Sequence, residues 1–353
     1  MQAWKTNIQD EDVLTSIPVY MGCSRSFDLR LGLFMENRDR RNQSVTEFSL
    51  LGFGNLPELQ TLLFLVFLVI YIATMAGNIL ITALVVADQH LHSPMYFFLG
   101  NLSCLETCYS STVLPRMLAS LLSGDRTISV SSCIIQFYFF SALVGTECFL
   151  LSMMSYDRYL AICKPLHYAV LMNDRFCLQL TVGSWMSGFL AMIIVIILMS
   201  QLTFCGPTEI NSFFCDFIPV IKLSCSDLHV LKVVAFICSS VFSVIPFILT
   251  LTSYICIIIT ILRIPSTTGK QKAFSTCSSH LIVVTIYYGT LIIAYMLPKT
   301  DTLRNLNKVF SVFYTVITPL LNPFIYSLRN KEVKEALRKA LSKCVAFARI
   351  MEM

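Results

Sequence analysis

Polar and apolar positions along this chain are segregated over tens of residues rather than alternating within short segments. Five stretches carry no charge at all: 29 positions between Glu58 and Asp88, 33 between Arg175 and Glu209, 30 between Lys232 and Arg263, 26 between Lys272 and Lys299, and 20 between Lys308 and Arg329. A helix needs about 20 largely apolar residues to cross a bilayer, and backbone in hydrocarbon has few alternatives to helix. The runs therefore predict spans at 59–86, 176–200, 232–262, 272–297 and 308–328. Two further runs each hold one acid: 94–121 contains Glu106, and 130–162 contains Glu147. Together they predict an all-α membrane protein, a seven-helix bundle over residues 59–328. A β-barrel would show alternating ten-residue segments, which these runs are not. No solenoid or propeller repeat is visible.

Composition narrows the class. Only 13% of the 353 residues are charged and 56% are apolar, against roughly 25% charged in a soluble domain. That excludes a disordered chain, a soluble enzyme of ordinary balance and a nucleic-acid binder. The net charge of +5 becomes informative only by location. If the loops after spans two, four and six face outward, thirteen Lys and Arg lie on the cytoplasmic side and six in the outer loops. The tail at 1–58 adds six more outside, and Arg116 sits within span two. This favours an amino end outside and a carboxyl end inside. Residues 1–34 lack an apolar signal-peptide core, so span one is expected to direct insertion.

Of fourteen cysteines, four fall at span three's outward opening and in the loop after span four: Cys133 opens span three, and Cys205, Cys215 and Cys225 follow span four. Disulfides persist in that compartment, and four cysteines allow three pairings. Asn42-Gln43-Ser44 is a glycosylation sequon in the outward tail; Asn101-Leu102-Ser103 has the same pattern but lies in a span. After span seven, Val333, Ala336, Leu337, Ala340 and Leu341 form an apolar stripe opposite lysines and arginines, the pattern of a short helix on an anionic inner leaflet within the tail at 329–353. Cys344 there is either palmitoylated or a free thiol. There is no G-x-S-x-G, HExxH or phosphate loop, so no enzyme is expected. His280, with no partner base in its span, reads as structural.

Four motifs stand in order on the spans: LHSPMYFFLGNLS (Leu91–Ser103), MSYDRYLAIC (Met154–Cys163), KAFSTCSSH (Lys272–His280) and PLLNPFIYSLRN (Pro319–Asn330). Over residues 36–345 the chain resembles an olfactory (odorant) receptor, a rhodopsin-like G-protein-coupled receptor of the tetrapod class II type. Ser155 departs from the alanine usual before Tyr-Asp-Arg-Tyr. The resemblance implies disulfides Cys133–Cys215 and Cys205–Cys225. It also implies that Asp157, Arg158, Tyr159, Tyr254, Asn322, Pro323 and Tyr326 serve activation and G-protein coupling. The residues give physical reasons for part of this. An Arg158 unpaired in the membrane is costly and Asp157 is its adjacent counter-ion, while Pro323 removes a helical hydrogen bond and permits a bend.

Buried carboxylates must be paired, neutralised or metal-bound. Glu147 lies eleven residues before Arg158, about 16 Å along a helix, too far for a direct ion pair. With Asn78 and Asn322, Glu106 and Glu147 resemble the sodium pocket of rhodopsin-like receptors; a protonated, hydrogen-bonded pair without a cation is the alternative. On span three, Phe140, Ser141, Val144, Gly145 and Cys148 share a face by i, i+4, i+8 spacing. Positions that match the family's pocket elsewhere are Ser239, Phe242, Tyr288, Tyr295 and Thr315, with Lys299 at the rim. Such a wall, apolar with a few hydroxyls, suits a small hydrophobic odorant. The expected function is odorant binding and activation of a heterotrimeric G protein, of the olfactory stimulatory type raising cyclic AMP, at the plasma membrane. No cofactor is expected beyond that sodium ion. A transporter or channel would show internal repeats and broken helices at midplane, which are absent; a receptor of this family acting outside the nose is the other alternative. Residues 1–34 share nothing with the family and are expected to be a disordered extension ahead of Met35, or else a lid.

Overall fold

The computed structural model describes residues 45–53, 57–205, 207–296, 309–329, 332–340 and 342. The expectations for residues 1–34, Asn42, Lys299, Leu341 and Cys344, and for the Tyr295 side chain, lie outside the described residues.

Helix dominates. The long elements are α1 (Pro57–Ala87), α2 (Pro94–Ser123), α3 (Val130–Cys163), α5 (Asp174–Ser200), α7 (His229–Arg263), α8 (Thr267–Met296) and α9 (Thr318–Arg329), the last preceded by a π turn at Phe313–Ile317. Short helices α4 (Pro165–Leu171) and α6 (Phe217–Ile221) lie in the connections. Boundaries follow local chemistry. Pro94 and Pro165 occupy first helical positions, where a missing N–H costs nothing. The Asn173 side chain caps α5 by accepting from the Phe176 N–H at 2.9 Å. Gly124, at φ 74°, closes α2 in the left-handed conformation.

By length and composition, five stretches can cross a membrane: Glu58–Ala87, Val130–Cys163, Asp174–Ser200, His229–Arg263 and Val309–Tyr326. Val130–Cys163 qualifies despite Glu147. The 272–297 run is weaker than its lack of charge suggested, because serines and threonines open it and the apolar part shortens to Cys277–Ile292. Its helix also begins earlier, at Thr267. The apolar window of α3 is 56% buried, against 22% for α1 and α5. α3 is therefore the axis of the bundle, contacting α2, α5, α7 and α8, while α1 and α5 turn Leu62, Val69, Leu190 and Ile194 outward. An outward apolar face of that extent needs lipid or a partner.

Two glycines set the tightest crossings. A Cβ on Gly188 of α5 would strike the Thr146 hydroxyl and the Ala142 carbonyl of α3, so the two backbones touch there. A Cβ on Gly77 of α1 would sit 3.0 Å from the Pro323 ring. Beyond α9, residues 332–340 are helical, with Val333 and Ala336 buried against the bundle.

The fold is not wholly α. Glu47–Leu50 (β1) pairs antiparallel with Thr127–Ser129 (β2) and parallel with Glu209–Ile210 (β3). Phe48, Leu50, Ile128 and Ile210 alternate into a second apolar cluster, which explains why three such short strands hold. Two disulfides brace this end. Cys133–Cys215 has Cα atoms 5.4 Å apart and Cys205–Cys225 6.0 Å.

Candidate functional site

Chemistry-bearing residues collect in three layers along α3. Near the Cys163 end, Arg158 Nη2 donates to Asp157 Oδ2 at 2.7 Å, with both side chains nearly or wholly buried. A third residue joins them: the Tyr168 hydroxyl donates to Asp157 Oδ1 at 2.8 Å. Tyr168 is the one residue of α4 not fully exposed, while Leu166 and Val170 point outward. Burial first, and then the Asp157 charge, push the Tyr168 hydroxyl above the usual tyrosine range, so it stays protonated and donates. Tyr159 packs beside Tyr254 and Ile257. The Tyr254 hydroxyl lies 2.7 Å from His280 Nδ1. His280 thus does have a partner, from another helix, where the sequence suggested none. Tyr326 is buried, and its hydroxyl has no hydrogen-bond partner among the described residues.

The middle layer is polar. Asn322 Nδ2 donates to Glu106 Oε1, and Glu147, the second acid, is buried like Glu106. Asn78 makes no hydrogen bond to them, and its Oδ1 is buried with no partner among the described residues. Its amide donates to Thr74 O at 3.0 Å and to Pro319 O at 3.1 Å. The second bond has a clear cause. Pro323 has no N–H, so the Pro319 carbonyl four residues earlier loses its helical donor, and α1 supplies one. Glu106 Oε2, Glu147 Oε1 and Ser110 Oγ are buried with no partner among the described residues. Of these, the buried carboxylate oxygens need a proton or a cation, and hard oxygen donors fit a sodium ion better than a soft metal.

The third layer, toward the Val130 end of α3, is aromatic. Phe140 lies 5.2 Å from Tyr109 and 4.9 Å from Phe214, ring centre to ring centre. The Tyr287 hydroxyl donates to Val144 O at 3.0 Å and lies 3.3 Å from Cys148 Sγ. Tyr288 packs edge-on against Phe247. The Phe242 ring occupies the space above Gly145, 3.0 Å from where a Cβ would stand. Phe140, Val144, Gly145, Cys148, Phe242 and Tyr288 are thus brought together, and Ser141 is half-buried beside them on α3. Ser239 is not: it is exposed, and its hydroxyl donates to Phe236 O at 3.1 Å. Thr315 is buried, but its hydroxyl is spent on Ser311 O at 2.6 Å. The polar tips facing the cluster are therefore tyrosines. Tyr287, Phe214 and Tyr314 belong to it although the sequence reading passed them over; the position of Phe214 beside the disulfide-bonded Cys215 was the available signal.

The olfactory receptor family model matches residues 67–344. Olfactory receptor 11L1 of Homo sapiens is 52% identical over 304 residues, covering 86% of this chain and 94% of that protein. Human olfactory receptor 6B1 is 51% identical over 88% of this chain and 98% of its own. Olfactory receptor 5AP2 of Mus musculus is 48% identical over 90% and 99%. The chain belongs to the olfactory receptor family. Olfactory receptors are receptors rather than enzymes and are multi-pass plasma membrane proteins, and this chain takes that class and location with them.

The Asn78–Pro319 bond gives this olfactory receptor a checkable joint. Asn78→Ala leaves a buried carbonyl unpaired, a cost of about 1–3 kcal/mol. The purified variant should melt several degrees below the parent in detergent. An unchanged midpoint would mean that Pro319 O finds another donor.

Proposed function

We propose that the chain is a seven-span receptor, amino end outside, which binds a small apolar odorant in the aromatic outer layer and activates a heterotrimeric G protein through its inner end. The G protein is of the olfactory stimulatory type, raising cyclic AMP. One observation carries the reading: a single helix, α3, holds the ring-lined cluster at one end and the buried Asp157–Arg158–Tyr168 group at the other. A ligand that reorders the first can bias the second through one rigid element. The β1–β2–β3 sheet supports the topology, since it gathers segments lying before α1, between α2 and α3, and after α5 at one end. The helix at 332–340 is read as lying beside the inner leaflet, with the Val333 and Ala336 edge of its apolar stripe turned onto the bundle. The reading includes a sodium ion at the polar layer, where Glu106 and Glu147 would hold it; bound, it would supply one positive charge against one buried carboxylate, with the other carboxyl kept protonated.

The test uses cells expressing the full chain and a cyclic AMP reporter, exposed to a panel of volatile alcohols, aldehydes, ketones and esters. At least one should evoke a response, and Gly145→Leu should remove it, because leucine takes the volume now held by Phe242. A response that Gly145→Leu leaves intact at equal surface level would move the binding site elsewhere.

A further inference from the structure

The segment before α1 is woven into the outer loops. Ser49 N–H donates to Thr208 O at 2.8 Å, Leu51 N–H to Ile210 O at 2.9 Å and Gly52 N–H to Ser212 O at 3.0 Å. Gly52 then adopts φ 53°, a left-handed turn that a side chain would resist. That turn carries Phe53 off the sheet and onto the bundle. Its ring stacks between Phe67 of α1, at 5.5 Å, and Phe213 of the loop after α5, at 5.6 Å and 7° from parallel.

The stack continues inward. Phe213 packs on Phe214 at 5.1 Å, and Phe214 packs on Phe140 at 4.9 Å. Phe214 is fully buried and covers the aromatic cluster from outside. Its two flanks are held differently. On one side Cys215 is fixed to Cys133 by a disulfide, and its N–H donates to Gln136 Oε1 at 2.9 Å. On the other, Phe213 is held by the Phe53 ring. A cleft bordered by Leu51, Gln60, Leu63 and Met117 lies beside that stack.

We propose that Phe53 is a positioning residue for the ligand site: its stack on Phe213 sets where Phe214 closes the cluster, and so governs access to Phe140 and Cys148 from outside the bundle. This rests on the reading of the outer layer as the odorant site. The ring is suited to the task because stacked aromatic pairs add geometry-specific attraction beyond simple burial, and Phe53 makes two such pairs.

The experiment needs no odorant, so it stands or falls apart from the ligand reading. Full-length receptor in lipid nanodiscs is treated with a methanethiosulfonate reagent, and modification of Cys148 and Cys177 is followed by peptide mass spectrometry. Cys177 is buried on α5 at the far end of the bundle and reports general loosening. Phe53→Ala should raise the Cys148 rate about tenfold, the order expected from losing one to two ring stacks, with Cys177 unchanged. Phe53→Tyr, which keeps the stack, should restore the slow rate. If the alanine variant does not fold, Phe53→Leu gives the same comparison with volume retained. Equal Cys148 rates in parent and variant would overturn the proposal. So would a parallel rise at Cys177, which would make Phe53 a stability residue alone.

Discussion

Receptor carrying Arg158→Gln is expected to reach the cell surface and to return no odorant-evoked cyclic AMP. The choice of glutamine follows from the geometry. Asp157 is wholly buried, with Arg158 on one oxygen and Tyr168 on the other. Alanine would strip one partner from a buried carboxylate, a loss that costs about 3–5 kcal/mol when a buried pair is broken, and would confuse folding with signalling. Glutamine keeps an N–H within reach of Asp157 Oδ2 and removes only the charge. Surface labelling alongside the reporter separates the two effects. A full response from correctly delivered Arg158→Gln would remove Arg158 from the activation path.

Loss of the Cys133–Cys215 bridge should be the most damaging single change at the outer end. Its residues are 82 apart in sequence, whereas Cys205 and Cys225 are 20 apart. Loop-closure entropy gives about 4.5 kcal/mol for the long bridge and about 3.3 kcal/mol for the short one. Both figures are upper bounds, because membrane insertion already restricts the unfolded chain. The long bridge also fixes Cys215 next to Phe214, which roofs the aromatic cluster. Cys133→Ser should therefore abolish surface delivery, while Cys205→Ser should retain a measurable fraction, read by antibody staining of unpermeabilised cells. Equal loss from both would show that the ordering by loop length does not apply.

How far the sequence reached depended on what kind of force shapes each feature. The charge-free runs located the long helices because a charge in hydrocarbon is expensive wherever it stands. Glu106 and Glu147 stood out for the same reason. Tyr168 did not, because its partner Asp157 lies eleven residues back across a helix break at Lys164, and no period links the two. Thr315 was placed by its match to the family's pocket, and it sits in the π turn Phe313–Ile317, which puts the residues on either side out of phase with a regular helix. The Ser239 hydroxyl was read as a free polar tip, but a serine in a helix bonds readily to its own backbone. The strands were too short to show a period of two, and only their partners in space make them strands.

The sheet at the outer end also imposes an order on biosynthesis. β1 emerges from the ribosome first, and Ser49 must wait for Glu209, 160 residues later in the chain. At about 5–20 residues per second, that interval is roughly 8–30 s. During it, the cluster that buries Phe48 and Leu50 is incomplete, lacking Ile210, Val220 and Ile221. Sealing this end is consequently a late event, which cannot occur until α1, α2, α3 and α5 have all been made and the intervening segments delivered to the same side. A chain with one helix misinserted would leave two buried-type hydrophobic residues, Phe48 and Leu50, exposed to water, where chaperones that retain incomplete membrane proteins could recognise them.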